Sequence, residues 1–193
     1  MSGPAEKARM TFPEFVAFDD ASDGKHELVD GEAYAMAGGT IEHGRLAMAL
    51  GAALAIALRE KRCTILSSDV RVRVRKTGLV TYPDLTIVCG RLETDPDDDQ
   101  TVTNPVVLVE VLSDSTEAYD RGAKWAHYRR LPSLKEYVLV SQRERLVEVF
   151  RRNEEGIFEL REWHEGEVVE LASIEARIAV DEIYANPLAG TDG

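Results

Sequence analysis

A chain of 193 residues, 44% hydrophobic and 30% charged, carries enough apolar material for one folded domain and too much for a disordered one. Its formal net charge of −12 excludes a protein that coats nucleic acid nonspecifically, because phosphate binding draws on lysine and arginine. Two cysteines, Cys63 and Cys89, have neither CxxC spacing nor a neighbouring histidine pair, so the expectation is no zinc site, no disulfide framework and a reducing cytoplasm.

Residues 1 to about 12 and the last eight or so read as tails, leaving a single domain with its core from about 12 to 184. No basic segment followed by an apolar core opens the chain, so no secretory signal is expected. Thr11 followed three residues later by Glu14 signals a capped helical start. Residues 25–34 alternate around Asp30-Gly31, a two-residue hairpin signal. Thr40 caps a helix to about Arg59, with His43, Leu46, Ala47, Leu50, Leu54 and Ala57 on one face. Its richest apolar part, 46–58, is Ala-rich, contains Gly51 and is too short to span a bilayer, so no membrane partner is expected.

Strands follow over 64–66, 70–76, 81–88 and 106–112. In the second, Val70, Val72 and Val74 alternate with Arg71, Arg73 and Arg75, which predicts one buried face and one wet, arginine-bearing face. The acidic run Asp97–Asp99 lacks the glycine and terminal glutamate of a calcium loop and reads as a solvated loop. Residues 106–112 are almost continuously apolar, as in a central strand covered on both faces. Asp114 or Ser115 caps a helix from about 117 to 130, ended by Pro132. A strand over 136–141, a hairpin pairing 146–150 with 157–163, and a helical turn over 181–184 complete an α/β order with a mixed sheet flanked by helices.

Two acids interrupt the apolar strands: Asp84 and Glu110. Carboxylates are almost never fully buried unless paired or bound to a cation, and an unpaired one costs several kcal/mol to desolvate. On adjacent strands the two could share a magnesium ion, which accepts one or two carboxylates and keeps several waters. Lys124, on the following helix, could orient a nucleophile or offset developing charge. Tyr128 lies four residues on, hence on the same face.

The ordered set Pro83-Asp84, Val109-Glu110-Val111-Leu112-Ser113, Asp120-Arg121-Gly122-Ala123-Lys124 with Tyr128, and Glu136-Tyr137 resembles the Uma-type restriction endonuclease family of the PD-(D/E)XK nuclease superfamily. Glu27-Leu28-Val29-Asp30-Gly31-Glu32 and His43 also match that family's N-terminal pattern, and the likeness runs from about Phe12 to Tyr184. The resemblance implies a restriction-endonuclease-like core and a magnesium- or manganese-dependent endonuclease acting on DNA. Asp84 and Glu110 are then its metal ligands and Lys124 its catalytic amine, with His43, Glu27 and Tyr128 in support. The superfamily lysine belongs two residues after the glutamate, where this chain has Leu112, so the amine comes from the next helix.

Plainer readings stand beside these. Glu110 can pair with Arg73 or Lys124, Asp84 can be a turn acid after Pro83, and Lys124 can snorkel from a surface helix. Tyr128 can be ordinary packing, and His43 a satisfied core histidine. Glu27 reads as an exposed hairpin acid, and Asp69 as a turn acid or a partner of the arginine strand. The charge and Leu112 leave open a non-catalytic nucleic-acid- or protein-binding domain that keeps the fold. Cutting both strands of a duplex suits a homodimer, which no residue establishes.

Overall fold

The computed structural model describes residues 9–186, and the tails expected at either end lie largely outside them. The elements run α1 (Phe12–Asp20), β1 (His26–Val29), β2 (Glu32–Ala35), α2 (Ile41–Leu58), β3 (Cys63–Ser67), β4 (Arg71–Val74), β5 (Leu79–Thr81), β6 (Leu85–Cys89), β7 (Thr94–Asp95), β8 (Asp98–Val102) and β9 (Val107–Val111). After β9 come α3 (Glu117–Tyr119), a π-helical turn (Asp120–Lys124), α4 (Trp125–Tyr128), β10 (Glu136–Val140), β11 (Leu146–Arg152), β12 (Phe158–His164), β13 (Val168–Leu171), β14 (Ala176–Ala179) and α5 (Val180–Tyr184).

Local chemistry sets several of these boundaries. The Glu14 carboxylate accepts both the backbone N–H and the hydroxyl of Thr11, at 2.8 and 2.7 Å, which closes the start of α1. Asp30 (φ 50°) and Gly31 (φ 83°) both sit in the left-handed region, as a tight β1–β2 turn demands. The Thr40 hydroxyl accepts the His43 N–H at 3.0 Å and starts α2.

Two six-stranded mixed sheets, rather than one, carry the fold. Their strand orders are β2-β1-β5-β4-β8-β7 and β12-β11-β10-β9-β6-β3, with β13-β14 as a separate hairpin that the sequence pattern did not signal. The second sheet is central. Val107, Val109 and Val111 face a core shared with α2, α5 and the β13–β14 hairpin, whereas Leu108 and Leu112 face a core with Val72, Val74, Leu79, Tyr128 and Tyr137. β9 is buried along its whole length, as expected for a strand covered on both faces.

Several expectations are corrected. The strand predicted over 81–88 is broken: β5 belongs to one sheet and β6 to the other, with Tyr82, Pro83 and Asp84 between them. Pro83 has no N–H to donate to a ladder, so the chain changes sheets there and Asp84 stands in the gap. The arginine face of β4 is wet only at its end, where Arg75 is exposed. Arg71 is buried against Asp19, Asp20 and Asp98, while Arg73 and Arg75 both reach Asp95 at 2.9 Å. The acidic run is solvated at Asp97 and Asp99, as expected, but it is only partly a loop: Asp98 and Asp99 open β8, and Asp98 faces Arg71. Neither Asp114 nor Ser115 caps the helix after β9; the Ser113 hydroxyl accepts the Thr116 N–H at 3.2 Å.

Cys63 and Cys89, directly opposite each other on β3 and β6, form a disulfide with Cα atoms 4.0 Å apart. Strand register, not spacing along the chain, brings them together. The helix after Thr40 has the bounds expected, but its apolar stretch is not confined to 46–58. The 18 residues of α2, at a mean hydropathy of 1.4, are long and apolar enough to cross a membrane by length and composition. In this fold its Leu46, Leu50, Ala53, Leu54 and Leu58 pack into the core.

Candidate active site

The C-terminal end of β9, the gap before β6, the start of α2 and the π turn surround a cleft of about 620 Å³. Asp84 is held there by the backbone: the Val111 N–H donates to its Oδ2 at 2.7 Å. That bond fixes Asp84 beside the residue that follows Glu110. The Glu110 side chain extends from β9 toward the same cleft, 5% exposed, and its Oε1 accepts the Tyr128 hydroxyl at 2.7 Å.

Lys124 is 4% exposed and snorkels nowhere. Its Nζ stands 3.0 Å from Glu110 Oε1, 3.0 Å from Glu27 Oε1 and 3.4 Å from Asp120 Oδ1. An ammonium has three protons, and three carboxylates surround this one. The π turn widens the helix locally, and both Asp120 and Lys124 lie within it, buried. Glu27 is therefore not the exposed hairpin acid its strand position suggested: it is 8% exposed and also accepts the Thr81 hydroxyl. β1 pairs with β2 and β5, and Thr81 at the end of β5 together with Lys124 of the π turn closes over the Glu27 carboxylate.

His43 projects from the first turn of α2, with Nε2 3.2 Å from Asp84 Oδ2. A Cβ on Gly39 would meet its ring nitrogen Nδ1 at 2.8 Å, so the glycine gives the imidazole its room. Gln142 ties the two sides together, donating to the Leu112 carbonyl at 2.7 Å and accepting the Thr40 hydroxyl at 2.8 Å. Leu112, at the position of the superfamily lysine, is 3% exposed within the core. Asp69 lies elsewhere, paired with Lys25 at 2.6 Å.

The charge balance of this cluster is uneven. Glu27, Asp84, Glu110 and Asp120 face one ammonium and one imidazole. Burial pushes the Glu110 carboxyl up to about 8; Lys124 and the Tyr128 bond pull against that rise, while Asp84 and Asp120 add to it. Burial also raises Asp120, with Lys124 opposing. Burial disfavours the Lys124 ammonium, yet Glu110, Glu27 and Asp120 outweigh it and hold its proton well above the ordinary range. The bond to Asp84 raises His43, against the effect of its own burial. An excess of carboxylates thus keeps the lysine charged and favours an extra proton on Glu110.

Among the described residues no three His, Cys, Asp or Glu groups are arranged as a metal cluster. The donor set nevertheless fits a hard cation. Asp84 and Glu110 are both oxygen donors lining the cleft, and each has one oxygen outside the bonds just named. Two carboxylates are what a hydrated magnesium ion ordinarily takes.

All six residues singled out from the sequence, Asp84, Glu110, Lys124, His43, Glu27 and Tyr128, converge here. Two more belong with them. Asp120 lies four residues before Lys124, a spacing that places both on one helix face and so could have marked it. Tyr119 forms part of the cleft wall and left no signal in the sequence pattern.

Comparison with known proteins agrees with this architecture. The family model Uma2, described as "Putative restriction endonuclease", matches residues 12–181. The uncharacterized protein slr1290 of Synechocystis sp. is 35% identical over 174 residues, 89% of each chain. A second Synechocystis protein, the uncharacterized sll1609, is 29% identical over 133 residues, covering 69% of this chain and 75% of its own. A crystal structure described as a putative nuclease belonging to DUF820, from Anabaena variabilis, superposes with a TM-score of 0.74 at 14% identity, covering 91% of this chain and 97% of that one. The fold is a restriction-endonuclease-like, mixed α/β architecture.

Proposed function

Because the chain belongs to the Uma2 family of restriction-endonuclease-like proteins, we propose that it is a divalent-metal-dependent endonuclease that hydrolyses phosphodiester bonds in DNA. The observation that carries this reading is the convergence of Asp84, Glu110 and Lys124 in one cleft at the end of β9. Asp84 and Glu110 would hold a magnesium or manganese ion, which when bound acidifies a water and offsets charge on a phosphoryl oxygen. The protein's own groups do the rest. Glu27 and Asp120 hold Lys124 charged and in place beside Glu110, so its positive field acts on a phosphate entering the cleft. Tyr128 and the Val111 N–H fix the orientation of the two acids. His43 steadies Asp84 from the opposite wall.

The test is cleavage of plasmid, linear and single-stranded DNA, and of RNA, with magnesium or manganese. Cleavage of DNA that Asp84→Ala and Glu110→Ala each abolish, in folded protein, supports the reading. Inactivity on every substrate, or equal activity in the variants, overturns it. Leu112 favours a second reading, a nucleic-acid-binding domain without catalysis, since the motif lysine's place is filled by core packing. Binding without cleavage would select that alternative.

A further inference from the structure

β12 closes one end of the central sheet, whose order runs β12-β11-β10-β9-β6-β3. Its ladder with β11 is unbroken from Leu146↔His164 to Arg152↔Phe158. At the turn, the Asn153 N–H donates to the Ile157 carbonyl at 2.8 Å, and the antiparallel bonding pattern alternates from there. Residues 159, 161 and 163 therefore bond to β11, while Phe158, Leu160 and Glu162 turn their N–H and C=O groups away from it. Among the described residues no hydrogen bond reaches those outward groups.

An open edge of this length is a template for another strand, and folded proteins blunt such edges with proline, lysine or a bulge. β12 has none of these. It also shows apolar side chains to water: Leu160 is 46% exposed, and Ile157, just before the strand, 56%. The charges select what can dock there. Two copies of β12 related by a two-fold axis at Leu160 set Glu159 opposite the partner's Arg161, and Arg161 opposite the partner's Glu159. Those pairs fall at the non-hydrogen-bonded positions, where side chains approach most closely. Phe158, Leu160 and Glu162 fall at the hydrogen-bonded ones, so their outward groups meet each other. An axis at Glu159, Arg161 or Glu162 instead sets like charges face to face. Both pairing residues are available: among the described residues Arg161 has no hydrogen bond or ion pair, and Glu159 accepts only the Asn153 amide, at 2.8 Å.

We propose that β12 is a self-association edge: a second copy of this chain pairs with it antiparallel about Leu160, joining the two central sheets into one. The interface is the same patch on both chains and closes at two, because pairing consumes the open edge of each β12. It stands whether or not the cleft cuts DNA, since no residue of the cleft takes part.

The test is sedimentation of the full chain across the micromolar range, for wild type, Glu159→Arg, Arg161→Glu and the two changes combined. The expected result is a monomer–dimer equilibrium in wild type, weakened about 10-fold to 100-fold by either single change. The combined variant should recover it, because it restores opposite charges across the axis; a change that merely damaged folding would not be repaired by a second one. Leu160→Cys reads the register. Residue 160 faces its own copy at about 5.5 Å between Cα atoms, a spacing a disulfide spans, so oxidation should link two chains. Glu162→Cys faces Phe158 of the partner subunit and should leave the chains unlinked. A wild type that stays monomeric throughout, or a dimer indifferent to both charge changes, would overturn the proposal. Single changes that the combination fails to repair, or a link through residue 162 and not 160, would overturn it as well.

Discussion

Glu110→Gln removes one carboxyl charge while keeping the shape of the side chain and an acceptor for the Tyr128 hydroxyl. In the folded protein, burial pushes Glu110 up to about 8 from the ordinary 4.5 of a free glutamate. That difference of about 3.5 in pKa, at about 1.36 kcal/mol each, gives a cost of ionisation of about 5 kcal/mol as an upper bound. An acid raised in this way favours the folded state below its unfolded pKa, and the contribution is lost as pH rises through the folded value. The window is therefore about pH 4.5 to 8. Urea unfolding in EDTA at pH 5, 7 and 9 reads it directly, because titrations common to both proteins cancel in their difference. The variant should gain on wild type steadily across this range, by several kcal/mol between pH 5 and 9. A difference that stays constant with pH would mean that Glu110 is ionised throughout and that Lys124 compensates it fully.

Lys124→Met should destabilise the protein by about 3–5 kcal/mol at pH 7, because Glu27, Glu110 and Asp120 are then buried without their cation. The defect should narrow at pH 5 as Asp120, raised by burial, takes up its proton, Glu110 being largely protonated at both pH values, and denaturant midpoints at the two pH values check both parts. Thiol titration of the unfolded, unreduced protein should find no free cysteine, since Cys63 and Cys89 are joined. Reduction should then lower stability by about 3.5 kcal/mol, the chain-entropy value for a sequence separation of 26 residues; two titrating thiols before reduction would contradict it.

How much of this was legible in the chain depended on whether a residue's environment is local. Glu110 stands out in a continuous apolar run, and Lys124 with Tyr128 at helical spacing points to one face, so those positions could be read directly. Asp30-Gly31 encodes its own turn. Asp84 was recognisable as an acid but not as the residue between two sheets, because the strand pattern continues on both sides of Pro83. The arginines of β4 alternate just as solvent-facing residues do; nothing local distinguishes water from Asp95, 20 or so residues away, as their partner. Glu27 was obscured in the same way, since its partners Thr81 and Lys124 come from far along the sequence. Cys63 and Cys89 meet only through the register of β3 and β6. The π turn is the remaining case: an irregular turn departs from the 3.6-residue period by which helix faces are read, and Tyr119 sits just before it.

Manganese binding tests the central claim, that Asp84 and Glu110 share one cation, without depending on any substrate. Titration of the metal-free protein followed by the paramagnetic resonance of free manganese should show one ion held per chain. That binding should disappear in Asp84→Ala and in Glu110→Ala, and in wild type should tighten between pH 6 and 8 as Glu110 gives up its proton. Absence of binding in the wild-type protein, or binding that both variants retain undiminished, would contradict it.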